Sequence, residues 1–162
     1  MHLKKFEQAE QHSKFSVYTI MTPAPVTILP NTTAEEALDI MKRKSFHHLP
    51  VTEKLPSGAG EKVIGMIARG DLQRAISAFV GTKIESARDR QTLKLHVKLF
   101  MSKDVLTLTP ETGIRECADI LLTKGFNSVP IVEAETGKLI GIVTSTDLLQ
   151  FLYNYLGQGR TK

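Results

Sequence analysis

The chain has 162 residues, of which 41% are apolar and 23% charged, and its net charge is +4 at pH 7. This length allows one domain or two small ones with a shared core. The basic residues are spread along the chain, which favours a solvated surface over a nucleic-acid-binding face. The single cysteine, Cys117, excludes an internal disulfide. Without a signal peptide or a bilayer-length apolar run, we expect a soluble cytoplasmic protein.

Residues 1–13 are predicted to form an N-terminal helix or arm. The first extended stretch is "APVTIL", and a helix should follow, because Thr32 and Glu35 have the spacing of a capping box. The helix has apolar residues at helical spacing: Ala34, Ala37, Leu38 and Met41. "HHLPV" and "KVIGMIA" then predict two strands, and a last helix has its apolar stripe at Leu72, Ala75, Ile76 and Phe79.

Residues 80–93 are polar and charged and are predicted to be a linker. The same order of elements then returns: "DVLTLT", a helix, "NSVPIV", "KLIGIVT" and a last helix. The first of these helices should end at Gly125, and Cys117 lies on its apolar stripe, which favours a buried side chain over a nucleophile. Its stripe is Ile114, Cys117, Ala118 and Leu121, and that of the last helix is Leu148, Phe151, Leu152 and Tyr155. We expect residues 158–162 to be a disordered tail.

The two halves are copies of each other. Residues 17–51 placed over 97–131, a shift of 80, give 11 identities in 35 positions. After the shared proline the shift becomes 76, and the change of 4 falls in a loop, where insertions are tolerated. The sequence therefore predicts an α+β fold of two β-α-β-β-α repeats, 14–79 and 94–157. Each repeat is too small to be stable alone, so we expect the two to pack face to face and to form two related clefts.

The ordered set "HHLPV" and "VIGMIARGDL", repeated as "NSVPIV" and "LIGIVTSTDL", resembles a tandem pair of CBS domains, known as a Bateman module. The resemblance covers nearly the whole chain. It implies a pseudo-twofold disc that binds adenosine-containing ligands, such as AMP, ADP, ATP, S-adenosylmethionine or cyclic dinucleotides. It also implies a regulatory role without catalysis: the module reports its ligand state to another protein.

The ribose signature of this family is Gly, two apolar residues, Ser or Thr, two free positions and Asp. The second repeat matches it from Gly141 to Asp147, with Thr144 as the hydroxyl residue. A carboxylate can accept hydrogen bonds from two neighbouring hydroxyls, and the threonine hydroxyl adds a further donor or acceptor. The same spacing is also that of a helix cap, so both roles stay open here.

The first repeat keeps Asp71 but has Ala68 in place of the threonine, which predicts a weaker site. Arg69 is a candidate phosphate partner there, with a solvated surface arginine as the alternative. We therefore predict two unequal sites, of which the one around Asp147 dominates.

The resemblance implies further contacts to the ligand. The adenine base is expected against Lys103, Asp104, Val105 and Thr107, with Val129 and Ile131 as apolar walls, and against Pro25 and Val26 in the first repeat. For Ile131 an ordinary core role is the alternative. His48, and also His47, are expected near the phosphates of the ligand held by Asp147, although strand alternation turns only one of the two toward it. A metal site is not expected, because adjacent strand residues point to opposite faces.

No nucleophile–base pair, phosphate-binding glycine loop or metal motif is found in the sequence. We therefore expect a regulatory binding module and not an enzyme. The alternative is an interaction scaffold whose clefts bind no ligand. The apolar, aromatic last helix, with Tyr153 and Tyr155 at its edge, predicts a homodimer.

Overall fold

The computed structural model describes residues 15–157, so the predicted N-terminal arm and the predicted tail lie outside the described residues. Helices and antiparallel strands are mixed, which confirms the α+β class. The elements are β1 Thr22–Pro23, α1 Ala34–Lys44, β2 His48–Lys54, β3 Glu61–Ala68, α2 Arg69–Ala75, α3 Ala87–Gln91, α4 Ile114–Lys124, β4 Ser128–Val132, β5 Leu139–Thr144 and α5 Ser145–Gly157. Short 3₁₀ turns occupy Val17–Thr19, Thr92–Lys94 and Val97–Leu99.

The described residues divide into two compact units, which we call unit 1 (15–25 and 106–157) and unit 2 (26–105). Unit 1 contains a three-stranded antiparallel sheet in the order β1-β5-β4. Unit 2 contains the antiparallel pair β2-β3. Each unit has its own core, formed by one face of its first long helix and the inner residues of its strands.

The compact units do not coincide with the sequence repeats, because the segment that leads into each repeat pairs with the last strand of the other. In unit 1, β1 lies beside β5, with Thr22 opposite Ile142. In unit 2, Ser102 pairs with Met66, and backbone hydrogen bonds of 2.9 Å run in both directions. The pairing partners differ by the same shifts, 80 and 76, as the repeat itself. This exchange pairs two residues of β5 and one residue of β3 on the outer edge of each strand.

The extended stretches that precede the helices contribute little to the sheets. Ile28 forms a single parallel bridge with Val51, and Leu108 forms the equivalent bridge with Ile131. The predicted first strands are therefore extended segments that each contact a sheet at one residue.

The capping box of α1 lies one residue later than the sequence predicted. Thr33 is the N-cap: its hydroxyl accepts from the Glu36 N–H at 3.2 Å, and the Glu36 carboxylate accepts from the Thr33 N–H at 2.8 Å. The Thr32 hydroxyl instead accepts a hydrogen bond of 3.1 Å from the Leu29 N–H and closes the preceding turn. The predicted capping box of Thr32 and Glu35 was therefore wrong by one position, because the Thr32 hydroxyl is already bonded within the preceding turn.

The helix limits otherwise follow local chemistry, with one exception. As predicted, α4 ends at Gly125, which has φ 67°. By contrast, α2 ends at Ala75, and Phe79 is 49% exposed, so the predicted stripe does not continue along a helix. The reason is that two residues of the predicted linker bind Ser77. The Ser77 N–H donates to Thr92 Oγ1 at 3.0 Å, and the Ser77 hydroxyl donates to Asp89 at 2.6 Å.

The glycines of the two repeated motifs are needed for a close approach of methionine. A Cβ at Gly141 would lie 2.5 Å from the sulfur of Met21 and 3.3 Å from the Thr22 carbonyl oxygen. Met101 occupies the same position over Gly65 in unit 2. These contacts explain why both repeats keep a glycine in the last strand and a methionine in the exchanged segment.

We expect Gly141→Ala to destabilise the chain by about 1–3 kcal/mol, because Met21 and β1 must move away. Urea unfolding measures this loss. Met21→Ala combined with Gly141→Ala should cost less than the sum of the two single changes. Gly157→Ala is the control, because a Cβ at this last residue of α5 meets nothing within 4 Å. An unchanged free energy of unfolding for Gly141→Ala contradicts the close approach.

Candidate functional site

Thr144 and Asp147 form a tight corner where β5 ends and α5 begins. Asp147 Oδ2 accepts hydrogen bonds from the Thr144 N–H and the Thr144 hydroxyl, both at 2.7 Å. The Thr144 oxygen in turn accepts from the Asp147 N–H at 3.3 Å. These bonds show the helix-capping role of both residues, and they hold the carboxylate in one orientation.

The other oxygen of this carboxylate, Oδ1, has no hydrogen-bond donor among residues 15–157. Asp147 and Thr144 are both half-buried, and Asp147 lies in the first turn of α5, where the helix dipole favours a negative charge. An oriented carboxylate with one open oxygen can accept a strong hydrogen bond from a hydroxyl of a ligand.

The equivalent corner in unit 2 is built differently. Asp71 Oδ2 accepts from the Ala68 N–H at 3.1 Å, but Ala68 has no hydroxyl to add. The Asp71 Oδ1 atom accepts from the guanidinium of Arg74. Arg74 was not among the residues predicted from the sequence, although its spacing of three residues from Asp71 on a helix indicates such a pair. Both carboxylate oxygens of Asp71 are therefore engaged within the chain.

The two histidines lie beside the Asp71 corner within unit 2. The His47 carbonyl oxygen accepts from the Arg69 N–H at 2.8 Å, and His48 pairs with Ala68. His47 and Arg69 are exposed, whereas His48 is half-buried. Burial lowers the pKa of His48, the charge of His47 lowers it further, and Asp71 acts in the opposite direction. The His48 ring is therefore neutral at pH 7 in the absence of a ligand, and its predicted contact with a phosphate stays a prediction.

The residues expected around the adenine base are divided between the units. Val129 and Ile131 are buried in the core of unit 1, which is the alternative role considered for Ile131. Thr107 is exposed and Pro25 half-buried, both in unit 1. In unit 2, Lys103, Asp104 and Val26 are exposed and Val105 is half-buried. Base contacts by these residues stay predictions.

A second candidate surface is the α4–α5 groove, an apolar groove of about 790 Å³ that lies wholly in unit 1. Phe15, Phe151 and Tyr155 form an aromatic cluster beside it, with ring centroids 6.0–6.3 Å apart. The predicted stripe of α5 contains no fully buried residue. The groove is lined by Phe15, Ile114, Arg115, Ala118, Leu121, Leu122, Gly125, Phe126, Asn127, Ser145, Leu148, Leu149, Phe151 and Leu152.

Within residues 15–157, no cluster of three or more His, Cys, Asp or Glu residues could hold a metal ion. No helix in this part of the chain has the length and apolar character needed to cross a membrane. Cys117 is buried, as predicted, and burial raises the pKa of its thiol to about 11. The thiol is therefore protonated at pH 7 and unsuited to act as a nucleophile.

The CBS domain model matches residues 17–78 and 97–154, so the chain belongs to the CBS domain family. It contains two copies of the domain, which confirms the tandem pair predicted from the repeat.

An uncharacterized 17.7 kDa protein from Acidianus ambivalens is 30% identical over 84% of this chain and 72% of its own length. Among solved structures, the chain is similar to the CBS domain pair of protein MJ0100, which is in complex with 5′-methylthioadenosine and S-adenosyl-L-methionine. The TM-score is 0.69 at 22% identity, and the match covers 86% of this chain and 97% of that one. CBSX2 of Arabidopsis thaliana, in complex with AMP, has a TM-score of 0.67 at 24% identity, covering 87% and 98%.

Several other curated relatives are much longer than the matched region. The chain spans 13% of the A-adding tRNA nucleotidyltransferase of Geobacter sulfurreducens and 47% of an uncharacterized protein of Methanocaldococcus jannaschii. The CBS pair therefore also occurs as one part of larger proteins.

Proposed function

We propose that this chain is a regulatory module that binds an adenosine-containing ligand at Asp147 and passes its ligand state to another protein. The observation that carries the proposal is the Thr144–Asp147 corner, where one carboxylate oxygen is held and the other has no donor among residues 15–157. The ligand belongs to the class of AMP, ADP, ATP, S-adenosylmethionine and cyclic dinucleotides. MJ0100 and CBSX2, which share this fold, are each described with an adenosine compound bound.

The chemistry of the corner suits a ribose. The two neighbouring hydroxyls of a ribose can both donate to one carboxylate, and a hydrogen bond to an ionised acceptor contributes about 1.5–3 kcal/mol. Thr144 orients Asp147 through two hydrogen bonds, so little rotamer freedom remains to be lost on binding. The Asp71 corner lacks the threonine, which supports unequal sites with Asp147 dominant.

We further propose that the chain forms a homodimer through the α4–α5 groove. Residues 148–157 of α5 contain no charged side chain, so a twofold axis beside this helix places no charge opposite its own copy. Several large apolar side chains are exposed there: Leu149 65%, Tyr153 76%, Tyr155 53% and Leu156 62%. The positions in unit 2 that match Leu122, Leu149 and Phe151 are Lys42, Gln73 and Ala75, so we expect unit 1 to pair with unit 1 of the second copy.

The alternative function is an interaction scaffold that dimerises but binds no nucleotide. The exposed apolar surface of α5 supports it as well as it supports the regulatory module. The two functions differ in one respect, which is whether an adenosine compound stabilises the folded chain.

A thermal-shift screen distinguishes them. It compares AMP, ADP, ATP, S-adenosylmethionine, NAD and a cyclic dinucleotide with no ligand. We expect at least one of the adenosine compounds to raise the melting temperature in a concentration-dependent way, because a ligand that binds only the folded state stabilises it. No shift with any of them, while dimerisation is retained, favours the scaffold.

A further inference from the structure

The carboxylate of Asp71 forms an ion pair with a residue of its own helix. Its Oδ1 atom accepts from Arg74 Nη2, while Oδ2 accepts from the Ala68 N–H. The Asp147 carboxylate has only its Oδ2 atom engaged among the described residues. The oxygen that Arg74 occupies on Asp71 is thus the equivalent of the one that is open on Asp147.

Arg74 differs between the two repeats. Gly70 precedes Asp71, and a Cβ at that position would lie 3.5 Å from Arg74 Nη1, in ordinary van der Waals contact, so the guanidinium lies close to this residue. The equivalent of Gly70 in the second repeat is Thr146, and that of Arg74 is Gln150. Gln150 donates to Asn154 at 3.1 Å, away from Asp147. The difference between Arg74 and Gln150 therefore decides whether a side chain of the same helix occupies this carboxylate oxygen.

We infer that Arg74 is a specificity-determining residue, which competes with a ligand for the Asp71 carboxylate and so favours nucleotide binding at the Asp147 corner. This inference rests on the proposed ligand class. A ribose that enters the Asp71 corner has to compete with the guanidinium for Oδ1. The Arg74 side chain is 76% exposed, so the pair is a surface ion pair and the competition is modest, at most about fivefold in affinity.

Exchange of the two residues between the repeats tests the inference. In the Asp147→Ala background, which leaves the Asp71 corner as the remaining site, Arg74→Gln should strengthen the binding of both AMP and adenosine up to about fivefold. In the otherwise unchanged chain, Gln150→Arg should weaken binding at Asp147 by a similar factor, since an arginine three residues after the aspartate can reach it. Isothermal titration calorimetry at low salt measures both changes, because salt screens the ion pair.

The control is Arg43→Gln, which removes another exposed ion pair, with Asp39 on α1, and should leave both affinities unchanged. If Arg74→Gln weakens AMP binding but not adenosine binding, Arg74 holds the phosphate and the inference is overturned. Equal affinities with and without Arg74 overturn it as well, while the proposed function stands. If the unmodified chain binds neither AMP nor adenosine, the Asp147 assignment for these ligands fails, and the inference fails with it.

Discussion

We expect Asp147→Asn to remove about half or more of the stabilisation that a bound adenosine ligand confers on the chain. At a ligand concentration of about 100 times Kd, the unmodified chain should gain about 2.7 kcal/mol, or about 5–10 °C in Tm. Loss of a charge-assisted hydrogen bond worth at least about 1.5 kcal/mol weakens binding about tenfold or more. The gain at the same ligand concentration should then fall to about 1.4 kcal/mol or less. The ligand is the compound that gives the largest shift in the screen.

Asparagine is the informative replacement, because its amide oxygen can still accept from the Thr144 N–H and preserve the helix cap. Alanine would remove the cap and the ligand contact together. The measured quantity is therefore the ligand-induced shift in Tm and not Tm itself. Asp119→Asn provides the matched control, since it makes the same change at an exposed position of α4 in the same unit. A full shift in Asp147→Asn rules out this carboxylate as the ribose partner.

Leu149→Glu converts the proposed homodimer into a monomer. Leu149 is 65% exposed and lines the α4–α5 groove, so the substitution leaves the core of unit 1 intact. A twofold interface contains the substitution twice. Losing the burial of two leucines costs about 3 kcal/mol or more, which weakens association by over about 100-fold. Light scattering after size-exclusion chromatography should give twice 18.0 kDa, or 36.0 kDa, for the unmodified chain and 18.0 kDa for Leu149→Glu.

Gln73→Glu is the matched control, because Gln73 occupies the same position in the repeat of unit 2. It should leave the dimer intact if unit 1 pairs with unit 1 of the second copy. An unmodified chain that elutes as a monomer contradicts the dimer. Equal disruption by Gln73→Glu contradicts the pairing mode alone, since both units would then contribute to the interface.

Local patterns in the sequence were sufficient for the family and for the helix cap formed by Thr144 and Asp147. Spacing and residue type in short stretches of sequence predict the duplication and the long helices. They also predict the end of α4 at Gly125 and the burial of Cys117. The corner of Thr144 and Asp147 is also local, because three residues at a helix start determine which groups meet. The predicted cap at Thr32 failed by one residue because two threonines compete for it, and a turn takes the first.

The tertiary structure alone decided the features that depend on residues far apart in the chain. No local pattern indicates that β1 pairs with β5, or that the segment containing Met101 packs on Gly65 in the other repeat. The hydrogen bond between Ser77 and the linker, beyond the end of α2 at Ala75, is a contact of the same kind. The physical reason is that a free strand edge can pair with any extended segment, and an apolar gap can be filled by any side chain of suitable shape. Only the folded chain determines which segment lies beside each of them.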